Sequence, residues 1–249
     1  MAEKVNQKLF SEFAPNTMQE WVDKVTVDLK GADFNKKLVW RTNEGFNVQP
    51  MYRLEDMKDL KNLDCFPGEF PYVRGNKKDS NDWYVRQDIV VENVAEANKK
   101  ALDVLNRGVN SLGFVLTDSK NFTKADMAAL LKDICLECVE INFVAGCKKC
   151  AIVDAFKAVA EERGIAPEKI YGGINIDPLS AMALKGKVCC ENPFASAKEN
   201  TEKMAAYPNF KTIEVGGYVF NNSGSSIVQE LGFSLAAGVE YLDKLTDAG

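Results

Sequence analysis

Residues 111–117 read SLGFVLT, and three comparable runs follow: VEINFVA at 139–145, IYGGINI at 170–176 and FKTIEVGG at 210–217. Each has strand length and is rich in β-branched or aromatic residues. Between and after them lie stretches of helical periodicity, near 123–134, 147–163, 178–206 (broken by Pro193) and 224–244. Reading backwards, WYVRQDIV from Trp83 is a strand. Residues 92–108 then form a helix that buries Val94, Ala97, Ala101 and Leu105. Alternating β and α elements demand parallel strands joined by right-handed crossovers, either in a doubly wound sheet or in a (β/α)8 barrel. No G-x-G-x-x-G follows the first strand, so the dinucleotide-binding version of the doubly wound fold has no support. Four strand–helix units are half a barrel, and the chain stops just after the fourth helix. An open sheet is the alternative. The preferred expectation is an α/β chain holding the first half of a TIM-type (β/α)8 barrel at 83–249, with its first and fourth strands as open edges. Such edges recruit partners, so the isolated fragment is expected to self-associate.

Residues 1–82 read as an arm. Leu9, Phe10 and Phe13 predict a short amphipathic helix. Thr17 predicts a cap for a second one, with Glu20 completing a capping box, Trp21, Val25 and Leu29 on one face, and Gly31 ending it. KLVWRT and NVQPMY read as extended, and Pro50, Pro67 and Pro71 punctuate the remainder.

Composition narrows the chemistry. A net charge of −5 gives no electrostatic reason to expect nucleic acid or an anionic membrane as partner. No apolar run reaches the roughly 20 residues of a membrane-spanning helix. The polar start lacks a secretory pattern, so a cytoplasmic address is expected. There is no histidine, hence no imidazole ligand and no Ser–His or Cys–His pair; acid–base work would fall to carboxylates, lysines or tyrosines. Seven cysteines, an odd number, predict reduced thiols. The Cys135-x-x-Cys138 and Cys147-x-x-Cys150 pairs resemble a zinc site. However, the VEINFVAG between them reads as a strand that would hold the pairs about 25 Å apart at roughly 3.3 Å per residue. No metal site is expected.

Ligands of parallel α/β folds approach the carboxyl ends of the strands. There the chain offers Thr117, Asp118, Gly146, Asp177, and Tyr218 with the Asn221–Ser226 loop. Ser223-Gly224-Ser225-Ser226 opens the last helix and suits either a phosphate or a simple cap, and the cap is preferred. Asp177, before Pro178, likewise reads first as a helix cap. The Lys36–Lys37 and Lys77–Lys78 pairs read as solvated loop charges.

Several stretches resemble one family. Arg41-Thr-Asn-Glu-Gly-Phe-Asn-Val-Gln-Pro-Met-Tyr52, Pro67-Gly-Glu-Phe-Pro-Tyr-Val-Arg-Gly75 and Trp83-Tyr-Val-Arg-Gln87 are similar to signatures that lead into the barrel of methylmalonyl-CoA mutases. So are Glu162-Arg-Gly-Ile-Ala-Pro-Glu-Lys-Ile170, and Gly217-Tyr218 followed by Ser223-Gly224 and Ala237-Gly-Val-Glu-Tyr241. The resemblance implies an adenosylcobalamin-dependent interconversion of methylmalonyl-CoA and succinyl-CoA. It also implies that some members pair a catalytic large subunit with a related small subunit that has lost the site.

The functional positions that the resemblance supplies are altered here. A tyrosine that meets substrate and cofactor falls on Asp88. The stretch that grips coenzyme A is shortened to NKKDSND. The G-T-x-Q of the third-strand block becomes Gly172-Gly173-Ile174-Asn175. The carboxylate-binding arginine falls on Lys185, which lacks a bidentate fork, and the histidine that bonds the thioester carbonyl falls on Val219. Phe114 and Phe143 are expected to fill the barrel interior. The resemblance therefore implies a non-catalytic small subunit, holding no cofactor itself, that docks on a large subunit carrying adenosylcobalamin. The rival expectation is an independent barrel enzyme acting on an acyl-CoA or phosphorylated ligand, with Asp118, Asp177, Lys185 or Tyr218 as acid–base groups.

Overall fold

In the computed structural model, residues 9–117, 121–145, 149–187 and 190–248 are described. The chain divides into two compact units, Met1–Asn76 and Lys77–Gly249.

In the first unit, Leu9–Phe13 form turns with exposed rings and no helix. Five residues with Phe10 at φ 64° cannot propagate a helical hydrogen-bond ladder. The second expectation holds. Helix α1 (Met18–Asp28) starts at Thr17, whose hydroxyl accepts from the Glu20 amide at 3.2 Å while Glu20 accepts from the Thr17 amide at 2.6 Å. Gly31, at φ 86°, supplies the reversal behind the helix. Trp21 of α1 meets Phe34 of α2 (Phe34–Lys37) edge to face at 6.3 Å. The two extended segments form a small antiparallel hairpin, β1 (Trp40–Arg41) with β2 (Asn47–Val48).

The second unit is one parallel sheet. Its strands are β3 (Arg86–Val91), β4 (Ser111–Leu116), β5 (Glu140–Ala145), β6 (Gly172–Ile176) and β7 (Phe210–Ile213), hydrogen-bonded in sequential order. A doubly wound sheet reverses its strand order at a switch point, and this one does not reverse. Unidirectional order means that every crossover steps one strand the same way, as in the first part of a (β/α)8 barrel. The described strands do not close. Because the run from Trp83 is itself a strand of this sheet, five strands are present and the edges are the first and fifth, β3 and β7, which corrects the expected first and fourth.

Helices α3 (Val94–Leu105), α4 (Lys124–Leu130), α5 (Lys149–Glu162), α6 (Pro178–Lys185), α7 (Pro193–Lys203), α8 (Tyr218–Asn222) and α9 (Ile227–Asp247) fill the connections. The helical stretch expected over 178–206 is two helices. Gly186 ends α6 at φ 65°, and Pro193 begins α7, where its missing N–H costs nothing. The core lies between sheet and helices: Phe114 stacks on Phe143 at 6.1 Å, Phe143 meets Phe156 of α5 at 5.3 Å, and Phe156 stacks on Phe210 at 5.1 Å. Phe114 and Phe143 thus face the helices and not the barrel interior. Leu112, Leu116 and Ile141 share their parity and are buried beside them. No helix among the described residues is long and apolar enough to cross a membrane.

Candidate functional site

Side chains two apart on a strand share a face. With the phenylalanines on the helix side, the opposite parity defines the concave inner face. Arg86, Asp88 and Val90 come from β3, Ser111, Gly113 and Val115 from β4, Glu140, Asn142 and Val144 from β5, Gly173 and Asn175 from β6, and Lys211 from β7. Register aligns them in rows. One row runs Asp88–Gly113–Asn142–Gly173–Lys211 across all five strands, each residue the direct partner of the next. The row places side chains on alternate strands and glycine between them, the layering by which barrel interiors are packed.

The glycines are required by contact. A Cβ on Gly113 would lie 1.9 Å from Asp88 Oδ1 and 2.7 Å from an Arg86 nitrogen, and one on Gly173 would lie 2.6 Å from the Lys211 carbonyl oxygen. Over Gly113, Arg86 Nε donates to Asp88 Oδ1 at 2.7 Å. In the neighbouring row the Ser111 hydroxyl donates to Glu140 Oε2, and Asn142 Nδ2 donates to the same carboxylate oxygen at 3.1 Å and to Ser111 Oγ at 3.2 Å. Asn175 accepts from the Ala145 amide at 3.0 Å, replacing a ladder bond where the β5–β6 register ends at Phe143 and Ile174. A concavity of about 500 Å³ is lined by Arg86, Asp88, Glu140, Asn142 and Asn175 with Lys211, Glu214 and Tyr218. Within it Arg86 pairs with Asp88, and Asn142 with Glu140.

Several of the other expected positions serve as helix caps or bond within loops. Asp177 caps α6 through the Ser180 amide at 2.9 Å, and its second oxygen accepts from the Gly216 amide at 2.7 Å. The Tyr241 hydroxyl donates to Asp177 and accepts from the Leu179 amide at 3.0 Å. Burial, reinforced by the bond to Asp177, pushes the Tyr241 phenol far above its ordinary range. Lys185 ends α6, exposed and outside the concavity, where a cation suits the helix carboxyl terminus. Val219 is 5% exposed, inside α8, while the adjacent Tyr218 turns to the concavity. Ser226 caps α9 in a box with Gln229, the reading preferred for this segment. Ser223 donates to the Val219 carbonyl at 2.7 Å, and Asn221 to Glu230 at 2.7 Å, so the loop before α9 is internally bonded. Thr117 bonds the Val91 carbonyl at 2.8 Å. Lys36 and Lys37 are exposed on α2, and Lys77 bonds the Asp82 carbonyl. Asp118, Gly146, Cys147 and Cys189 lie outside the described residues.

Sequence reading missed Arg86, Ser111, Gly113, Glu140 and Asn142. The signal was available: RQDIVV opens on three polar residues and EINFVA places Glu140 and Asn142 two apart, which a strand buried on both faces would not show.

The profile of the family described as Methylmalonyl-CoA mutase matches residues 41–122 and 120–249. The chain belongs to the methylmalonyl-CoA mutase family. It is 49% identical, over 99% of its length, to the methylmalonyl-CoA mutase small subunit of Porphyromonas gingivalis, and 29% identical over 97% to that of Streptomyces virginiae. The human mitochondrial methylmalonyl-CoA mutase is 25% identical over 95%. The chain spans 40%, 40% and 35% of these relatives, respectively. The family brings adenosylcobalamin into consideration, and the donor set tests it. Among the described residues the inner face offers carboxylates, amides and a lysine, and no imidazole.

Proposed function

We propose that the chain is the amino-terminal portion of a non-catalytic small subunit. In this reading it forms a cytoplasmic heterodimer with a large mutase subunit. The large subunit, carrying adenosylcobalamin, interconverts methylmalonyl-CoA and succinyl-CoA. The supporting observation is the row through Asp88, Gly113 and Asn142. There the position expected to carry a tyrosine is Asp88, held by Arg86 in an ion pair that roofs Gly113, while Ser111, Glu140 and Asn142 bond each other. A partner is supported by α9, whose Val228, Leu231, Leu235, Val239 and Leu242 are more than half exposed at helical spacing. Such a stripe needs cover by further polypeptide.

Co-expression of the complete subunit with the matching large subunit tests the reading. A stoichiometric complex is expected, with mutase activity that survives Asp88→Ala and Tyr218→Phe in this chain. Absence of a complex, or activity abolished by those substitutions, would remove it. Thermal-shift titration of the chain with methylmalonyl-CoA and inorganic phosphate is expected to be flat. A saturable rise of several degrees would favour the independent barrel enzyme.

A further inference from the structure

The turn that enters β5 carries two thiols that neither the core nor the inner face uses. Cys135 and Cys138 are both solvent-exposed, their Cα atoms are 5.4 Å apart, and their sulfurs are paired. That separation lies inside the range a disulfide spans. Reduced thiols were expected from the odd cysteine count; pairing of these two corrects that, and a backbone turn is the reason. The Cys138 amide donates to the Cys135 carbonyl at 3.1 Å, closing four residues on themselves. Buried Leu136 between the cysteines and buried Ile134 and Val139 beside them anchor the turn in the core.

Three side chains hold the turn and the segment leading into it independently of sulfur. Arg163 donates to the Leu131 and Ile134 carbonyls at 2.8 and 3.1 Å. Asn98 donates to the Leu130 and Lys132 carbonyls, each at 2.8 Å. Lys169 pairs with Glu137 at 3.2 Å. The turn therefore keeps the two thiols together when they are reduced. A loop this short gains little by cross-linking, so the pair is poorly explained as a structural staple. Exposure leaves it open to small redox partners.

We propose that Cys135 and Cys138 form a reversible dithiol–disulfide site that exchanges with low-molecular-weight disulfides and thiols. One cysteine thiolate attacks a sulfur of the small disulfide, forming a mixed disulfide and expelling one small thiolate. The second cysteine thiolate then attacks the protein-side sulfur, closing the Cys135–Cys138 bond and expelling the second small thiolate. Both cysteine protons end on the two small thiols, and two electrons pass from the protein to the small disulfide. The proposal stands whether or not the chain is a mutase subunit.

The test is equilibration of the native protein in glutathione and glutathione disulfide mixtures, followed by acid quench, thiol tagging and peptide mass mapping. Both tags on the Cys135–Cys138 peptide are expected to vanish together at one midpoint, and to return on adding glutathione. Cys65 and Cys190, which are free thiols, serve as internal references. In Cys135→Ser, Cys138 is expected to stop at the glutathione mixed disulfide. Repeating the titration in denaturant tests whether the fold supplies the proximity: the native pair should close at about tenfold lower glutathione disulfide or less. Equal midpoints, independent loss of the two tags, or thiols that stay taggable in glutathione disulfide alone would each overturn the proposal.

Discussion

Asp88 on β3 and Gly113 on β4 are direct register partners, and the Asp88 carboxylate fills the space where a side chain on Gly113 would begin. The pair shows how this inner face is built. A charged residue is accommodated because its neighbour has no Cβ, and Arg86 neutralises it from two residues away on the same strand.

Replacing Asp88 by Ala is expected to change stability by less than about 1 kcal/mol, because the Arg86–Asp88 pair remains substantially exposed. Gly113→Ala should cost about 1–2 kcal/mol, since its Cβ must displace both partners. In the double variant the cost should shrink. Urea unfolding of all four proteins forms the cycle, and strict additivity would refute the packing argument.

Gly172→Ala is expected to be far worse. Its φ is 148° and a Cβ would stand 1.8 Å from the Ile141 carbonyl oxygen, which is backbone and cannot swing aside. A loss of about 3 kcal/mol or more, or failure to fold, is expected by denaturant titration. A neutral result would show that β5 and β6 do not approach as described.

The Tyr241–Asp177 bond predicts a pH effect. Burial first, and the bond to Asp177 second, favour the neutral phenol in the folded state, so its pKa lies above the unfolded value near 10. Its stabilisation is complete below about pH 10 and is lost as pH rises beyond it. Tyr84 and Tyr207 shift the same way, each chiefly by burial. Tyr241→Phe should therefore reduce, without abolishing, the alkaline fall in stability, and at neutral pH cost about 1–3 kcal/mol through the unpaired Leu179 amide. Chemical unfolding across pH 8–11 is the measurement.

In isolation the chain is expected to self-associate, since β3 and β7 each have one neighbour among the described strands and α9 exposes its apolar stripe. Light scattering over a concentration series reads this. A constant monomer mass would contradict it.

Much of the architecture was legible in the chain. The capping boxes at Thr17 and Ser226 depend on residues three apart, the break at Pro193 on one missing N–H, and the strand runs on their apolar character. Each is a local effect. The expected helix at Leu9–Phe13 failed because apolar spacing alone cannot nucleate so short a segment. The site was less legible. Asp88, Gly173, Asn175, Lys185 and Val219 could be marked by resemblance, but not which of them share a surface: Asp88, Gly173 and Asn175 face the concavity, Lys185 ends a helix outside it and Val219 is buried.

The sequence by itself determined that parallel strands alternate with helices, that no imidazole chemistry is available, and that the chain belongs with the methylmalonyl-CoA mutases. Only the tertiary structure decided that Phe114 and Phe143 face the helices, that Arg86 and Asp88 pair over Gly113, and that Ser111, Glu140 and Asn142 bond one another beside them. The reason is physical. Turn, cap and strand preferences act over a few residues, whereas the facing of a strand and the meeting of side chains from separate strands depend on register, which distant packing sets.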